Sequence, residues 1–251
     1  MPPLQTETSG VTLTVTLDRP PRNVLDLATI RELGARIAPL EQRRDLKTLV
    51  FRSALPAVFS AGVDVADHTA ARVPEMLAAF HELVRRLCRL PQVTLAAVDG
   101  ICLGGGFELA ALCDVVLATP RSTFGLPEID LGCFPPVAAV VLPALAGRAA
   151  FDIVLTGRRL SAEEARQAGL ITRIVNDLPA EVGRSVAVFE SKSGVALAAA
   201  TRALRASARP GFEQALHEAE RIYLEKIAPS ADAEEGVRAF FEKRAPRWSR
   251  S

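Results

Sequence analysis

The sequence predicts an α/β protein that turns all-helical towards its C-terminus, and three observations carry that expectation. Strand-like and helix-like patterns alternate over roughly the first 120 residues, a rhythm that implies crossover units with parallel neighbours. The strand candidates differ in kind: VTLTVTL (11–17) alternates as a half-exposed strand does, whereas VTLAAVD (93–99) is apolar almost throughout, as in a strand buried on both faces. From about Leu178 onward only helical patterns remain.

Each element has a local reason. After the first strand, DRPPRN (18–23) reads as a turn, and Asp26 is placed to cap a helix through LATIRELGARIAPL. LKTLVFRS (46–53) is a second strand, ALPAVFSAGVDVADH (54–68) a loop, and a helix is expected from about Pro74 to Leu90. Gly100 then leads from the buried strand to the triplet Gly104-Gly105-Gly106. A helix begins near Gly105 and runs to about Cys113, before the strand DVVLAT (114–119). In SAEEARQAG (161–169), Ser161 and Glu164 have capping-box spacing and Gly169 stops the helix. ITRIV is a short strand; the helical remainder breaks near Arg209-Pro210-Gly211 and Ala228-Pro229-Ser230.

Composition narrows the function classes. A chain of 251 residues with 49% hydrophobic and 24% charged residues fits one large core or a core plus appendage. A net charge of +1 argues against nucleic acid or an anionic membrane as main partner. MPPLQTETSG lacks the basic and apolar regions of a signal peptide, and the most apolar run, FPPVAAVVLPALAG (134–147), is too short to span a bilayer. A soluble, cytoplasmic protein is the expectation. Four scattered cysteines and three histidines without ligand spacing predict neither a disulfide framework nor a metal site.

The stretch LGGGFELAALCDVVLATPRSTFGLPEIDLG (103–132) holds the residues of most chemical interest. The dinucleotide pattern G-x-G-x-x-G fails, since Leu109 stands where its last glycine belongs, and neither a P-loop nor a G-x-S-x-G elbow occurs. Glycines at a helix start leave backbone N–H groups open to a close ligand, and an oxyanion is what such a place stabilises best. FSAGVD (59–64) offers a second donor of that kind. Tight helix–sheet packing with no ligand accounts for the same glycines equally well. Likewise Glu108 and Glu128 are either halves of one proton-handling site or ordinary residues, Glu108 satisfying a helix-end N–H and Glu128 pairing with an arginine.

Five ordered blocks decide between these readings: VFSAGVD (58–64), AAVDGICLGGGFELAALCD (96–114), FGLPEIDLG (124–132), VLTGRRLSAEEARQAGLITRIV (154–175) and EEGVRAFFEKR (234–244). Through them the chain resembles the enoyl-CoA hydratase/isomerase (crotonase) superfamily. The resemblance implies a crotonase-like spiral of ββα turns over 1–195, a C-terminal helical trimerisation region over 196–251, and acyl-CoA thioester substrates. It implies a homotrimer or dimer of trimers, with no cofactor beyond the CoA of the substrate and no metal. Carried over by position, Glu108 and Glu128 fall on the catalytic glutamates, and the N–H groups of Ala61 and Gly105 form the oxyanion hole. Ser60, Ala61, Gly62, Val63 and Asp64 line the CoA-binding loop, with Val24 on the adenine side and Phe240 and Lys243 reaching CoA. Asp130 is read as an exposed or capping side chain, pointing away from its neighbours in an extended segment. Water addition to a conjugated thioester needs one group to take a proton and another to give one, which two carboxyls share when one is ionised and the other protonated.

One stretch departs from the common family pattern. LGCFPPVAAVV (131–141) carries Pro136 and Ala138-Ala139 where glycines are usual, and in this it resembles the cyclohexa-1,5-diene-1-carbonyl-CoA hydratases. Phe134, Pro135, Pro136 and Val137 would then form a rigid acyl pocket suited to a flat ring, with Cys133 a packing residue. The expected activity is hydration of such a cyclic dienoyl-CoA. The alternatives are a straight-chain enoyl-CoA hydratase, an enoyl-CoA isomerase, or a binding protein of the same fold without catalysis.

Overall fold

The computed structural model describes residues 3–249. It opens with a hairpin, β1 (Leu4–Ser9) and β2 (Thr12–Leu17), paired antiparallel about Gly10. The first of these strands is absent from the sequence-based expectation because only Leu4 of LQTETS is buried, leaving no alternation to read. α1 (Leu27–Ile37) follows, and the Asp26 carboxylate accepts from the Thr29 N–H at 2.8 Å as its cap predicts. Pro39 then tightens residues 38–41 into a 3-10 turn rather than a further α-helical turn.

The middle of the chain repeats one pattern. β3 (Thr48–Ser53), β4 (Val58–Ser60) and α2 (Val73–Arg89) make one turn of the spiral; β5 (Val93–Val98), β6 (Ile101–Leu103) and α3 (Gly105–Leu112) make the next. β7 (Val115–Ala118) and β8 (Thr123–Gly125) begin a third, which continues through a 3-10 turn at Pro127–Leu131 into α4 (Pro136–Ala146) and α5 (Arg148–Thr156). β9 (Arg159–Ser161), α6 (Ala162–Gln167) and β10 (Arg173–Ile174) close it, with the expected capping box at Ser161 and Glu164 intact. The longer strands form a six-stranded sheet ordered β1-β2-β3-β5-β7-β10, parallel from β2 onward. The short ones form a second sheet, β4-β6-β8-β9, with only the last pair antiparallel. This is the ββα spiral of a crotonase-like fold. Three-residue strands are too short for a periodicity argument, so β4 sits inside what the sequence reads as loop 54–68.

The large sheet is covered on both sides, and β5 is accordingly buried at every position. On one face lies the main core, to which α2 contributes Val73, Met76, Leu77, Phe80, Leu83, Val84 and Leu87, each worth about 2 kcal/mol of apolar burial. On the other, Val50, Leu95, Ala97 and Leu117 meet Leu178, Val182 and Val186 of α7 (Leu178–Glu190). α8 (Gly194–Ala208), α9 (Phe212–Ile222), a π turn at Tyr223–Ile227 and α10 (Ala231–Glu242) complete the chain; residue 195 lies in the first turn of α8. Arg205 pins α8 to the core: its guanidinium donates to both Asp114 carboxylate oxygens (2.8 and 2.5 Å) and to the carbonyls of Leu90 and Gln92. α10 packs on the Pro127–Leu131 turn of its own chain, where Gly236 leaves no room for a Cβ against the Leu131 carbonyl.

Candidate active site

The glycine triplet and the FSAGVD loop abut, and each missing Cβ has a different neighbour. A Cβ on Gly104 would stand 2.7 Å from Glu128 Oε1, one on Gly105 2.7 Å from Val63 Cγ2, and one on Gly106 2.6 Å from Ser60 Cβ. Close packing is therefore the reason for the glycines, and it coexists with open donors. The Gly105 N–H, at the start of α3, has no acceptor among the described residues.

Ala61 corrects the sequence-based reading. Its N–H donates to the Arg22 carbonyl at 2.9 Å and is not available to a ligand. Two residues on, flanked by the Leu25 and Asp64 N–H bonds that form a bridge with Leu25, the Val63 N–H has no acceptor among the described residues. Gly62 holds a φ of +98° and its position nearly touches the Gly105 nitrogen, so the two open amides belong to abutting segments. Ser60 is also reassigned: it is fully buried, its hydroxyl donating to the Asn23 carbonyl at 2.7 Å and accepting from Gly62 N–H at 3.1 Å. Asp64 caps a short 3-10 turn through the Ala66 N–H. Through these bonds the two side chains hold the shape of the loop.

Both glutamates are buried and line one cavity. α3 carries Glu108, whose Oε1 accepts from the Ala138 N–H at 2.8 Å in the first turn of α4. It satisfies a helix-end N–H, as one of its two expected readings has it, and it also faces the cavity. Glu128 comes from the 3-10 turn and pairs with no arginine among the described residues, and its Oε2 is buried without a partner among them. Burial pushes Glu108 up to about 7 against the pull of the Ala138 and Val137 amides. Glu128 rises to about 8, through burial first and the charge of Glu108 second. Repulsion belongs to the pair, so whichever carboxyl ionises first holds the proton on the other. Asp130 is exposed as expected, though on a 3-10 turn instead of an extended segment.

The cavity holds about 20 Å³ of free space, room for about one water molecule. Phe134, Pro135 and Pro136 line it, as do Val63, Gly105, Met76, Leu77 and Phe80. Val137 does not: its side chain is buried in the core, and only its backbone faces Glu108. Val24 is half-buried beside the loop, while Phe240 and Lys243 lie exposed on and just after α10, and none of the three reaches this cavity. Five lining residues escape the sequence reading: the apolar Met76, Leu77 and Phe80 of α2, and two that carry polar groups. His68 directs Nδ1 at the Asp64 carbonyl (3.0 Å), which can only accept, so Nδ1 carries the proton and burial keeps the ring neutral. Tyr223, brought from the π turn, is 2% exposed. Neither has a local signal, because helix packing alone delivers them.

Comparison with known proteins gives the family. The sequence model of the enoyl-CoA hydratase/isomerase family matches residues 6–251. The chain belongs to that family. It is 36% identical over 244 residues to the cyclohexa-1,5-dienecarbonyl-CoA hydratase of Thauera aromatica, covering 96% of this chain and 94% of that one. It is 33% identical over 251 residues to a carnitinyl-CoA dehydratase of Salmonella arizonae, covering 96% and 95%. Among solved structures, an enoyl-CoA hydratase from Mycobacterium avium subsp. paratuberculosis superposes with a TM-score of 0.89 over 98% of both chains at 27% identity. Family membership makes the chain an enzyme of the enoyl-CoA hydratase type, acting on acyl-CoA thioesters.

Proposed function

We propose that the protein adds water to an α,β-unsaturated CoA thioester, with cyclohexa-1,5-diene-1-carbonyl-CoA as its substrate. The observation that carries the reading is the convergence of two buried carboxyls of raised pKa on one small cavity beside two unpaired backbone amides. The thioester oxygen is held by the N–H groups of Gly105 and Val63, which strengthen their hold as it becomes an enolate oxygen. One glutamate, ionised, takes a proton from water as its oxygen bonds to carbon; the other, protonated, delivers its proton to the neighbouring carbon. The pair is left with one proton in total, ready for the next turnover.

The Thauera relative and the proline-rich aromatic wall favour the cyclic diene. The Mycobacterium structure favours a straight-chain enoyl-CoA as second reading. The reading extends to a cytoplasmic trimer or dimer of trimers using no cofactor, with CoA bound along the Gly62–Asp64 loop. Phe151 and Leu155 on α5 and Phe240 and Phe241 on α10, all more than half exposed, supply apolar surface for assembly. Phe240 and Lys243 then reach CoA from a neighbouring subunit. A hydration assay with the cyclic diene and crotonyl-CoA tests the substrate; turnover of crotonyl-CoA without the diene selects the second reading. Glu108→Gln and Glu128→Gln each lower kcat by about 10²–10⁴-fold while leaving CoA-thioester binding intact. Undiminished hydration by both variants refutes the acid/base assignment.

A further inference from the structure

Tyr223 has no part in the proton transfers, yet it closes the acyl cavity, and its fixation sets it apart from the rest of the wall. Contacts lead to it outward from the amides. Gly104 adjoins Glu128, and the Glu128 carbonyl accepts from Cys133 Sγ at 3.3 Å. Phe134, the residue after Cys133, packs its ring on that of Tyr223 with centroids 5.4 Å apart. The backbone is held as well, since the Ala228 N–H bonds to the Tyr223 carbonyl at 2.9 Å, one i→i+5 closure of a π turn. Such turns recur at functional sites. Met76 and Leu77, which line the same cavity from α2, carry no such ties, and an unbranched thioether repacks easily.

We propose that Tyr223 is a specificity-determining residue: a fixed end wall that admits short or compact acyl groups and excludes long linear ones. This deepens the hydratase reading and rests on it. An acyl group enlarges the cavity at the expense of Met76 and Leu77, whereas extension past Tyr223 requires giving up its ring packing on Phe134 and displacing the π turn that holds its backbone.

The test compares kcat/KM for crotonyl-CoA, 2-decenoyl-CoA and the cyclic diene across the full-length wild type, Tyr223→Phe, Tyr223→Leu and Tyr223→Ala. The wild type discriminates against 2-decenoyl-CoA. Tyr223→Phe keeps that profile, because the ring remains. Tyr223→Leu and Tyr223→Ala raise the ratio of 2-decenoyl-CoA to crotonyl-CoA by roughly tenfold or more, the scale of methylene-sized changes in an apolar pocket. Wild-type protein that hydrates 2-decenoyl-CoA as well as crotonyl-CoA overturns the inference even if neither small variant folds. So does a ratio unchanged in a variant that still turns over crotonyl-CoA. Wild-type protein that hydrates no thioester overturns the hydratase reading itself, and this inference with it.

Discussion

Replacing Glu128 by Gln should change how stability depends on pH as well as activity. A carboxyl whose pKa is higher in the folded protein binds a proton there that the unfolded chain has already released. Its cost to stability is nil below the ordinary glutamate value of 4.5, grows as pH rises, and is complete above about 8. At about 1.4 kcal/mol per pH unit the ceiling for Glu128 is about 5 kcal/mol. Glutamine has the same shape and cannot ionise, so the variant escapes this cost. Any penalty for burying its amide is the same at every pH. For a chain of this size about 1 kcal/mol moves Tm by 2–4 °C. The Tm of Glu128→Gln relative to the wild type therefore rises between about pH 5 and about pH 9, by at most about 10–20 °C at that ceiling. Calorimetry at one fixed protein concentration is the assay, since assembly also shifts Tm. Titrating groups other than Glu108, its coupled neighbour, are common to both proteins and cancel. Melting curves that stay parallel from about pH 5 to about pH 9 refute the raised pKa, and with it the shared proton.

Three further outcomes follow from the same geometry. Gly105→Ala places a Cβ 2.7 Å from Val63 Cγ2 and separates the two amides, lowering kcat/KM about 10²–10³-fold and costing about 1–3 kcal/mol in stability; full activity in steady-state assays counts against the oxyanion site. Gly34→Ala, inside α1 with nothing within 4 Å of the new Cβ, should gain about 0.5–1 kcal/mol and leave kinetics untouched. Arg205→Ala strands Asp114 at the strand ends and should cost about 3 kcal/mol in urea unfolding, α8 losing its anchor.

The elements that the sequence reveals are those whose cause is local. Asp26 and Ser161 satisfy N–H groups within one turn of their helices, and the almost wholly apolar run of β5, broken only by Thr94, records burial on two faces. β1 escapes because its outer positions are polar, and β4, β6 and β8 because three residues hold no period. In the site, Glu108 and Glu128 are legible from their surroundings and from the family blocks, but the availability of a backbone amide is not. Ala61 and Val63 look alike as sequence; only the distant Arg22 carbonyl, folded onto one of them, distinguishes a spent donor from an open one. His68 and Tyr223 are illegible for the same reason, each delivered by packing between segments remote in the chain.

The bond from the Ala138 amide to Glu108 ties acid strength to architecture. Residues 134–138 are where a change of acyl group would be accommodated, yet they also begin the helix whose end that carboxyl caps. Remodelling this corner for a new substrate would retune the working pH of the enzyme at the same stroke. Variants selected for altered acyl preference here should carry displaced pH–rate profiles, even with both glutamates untouched.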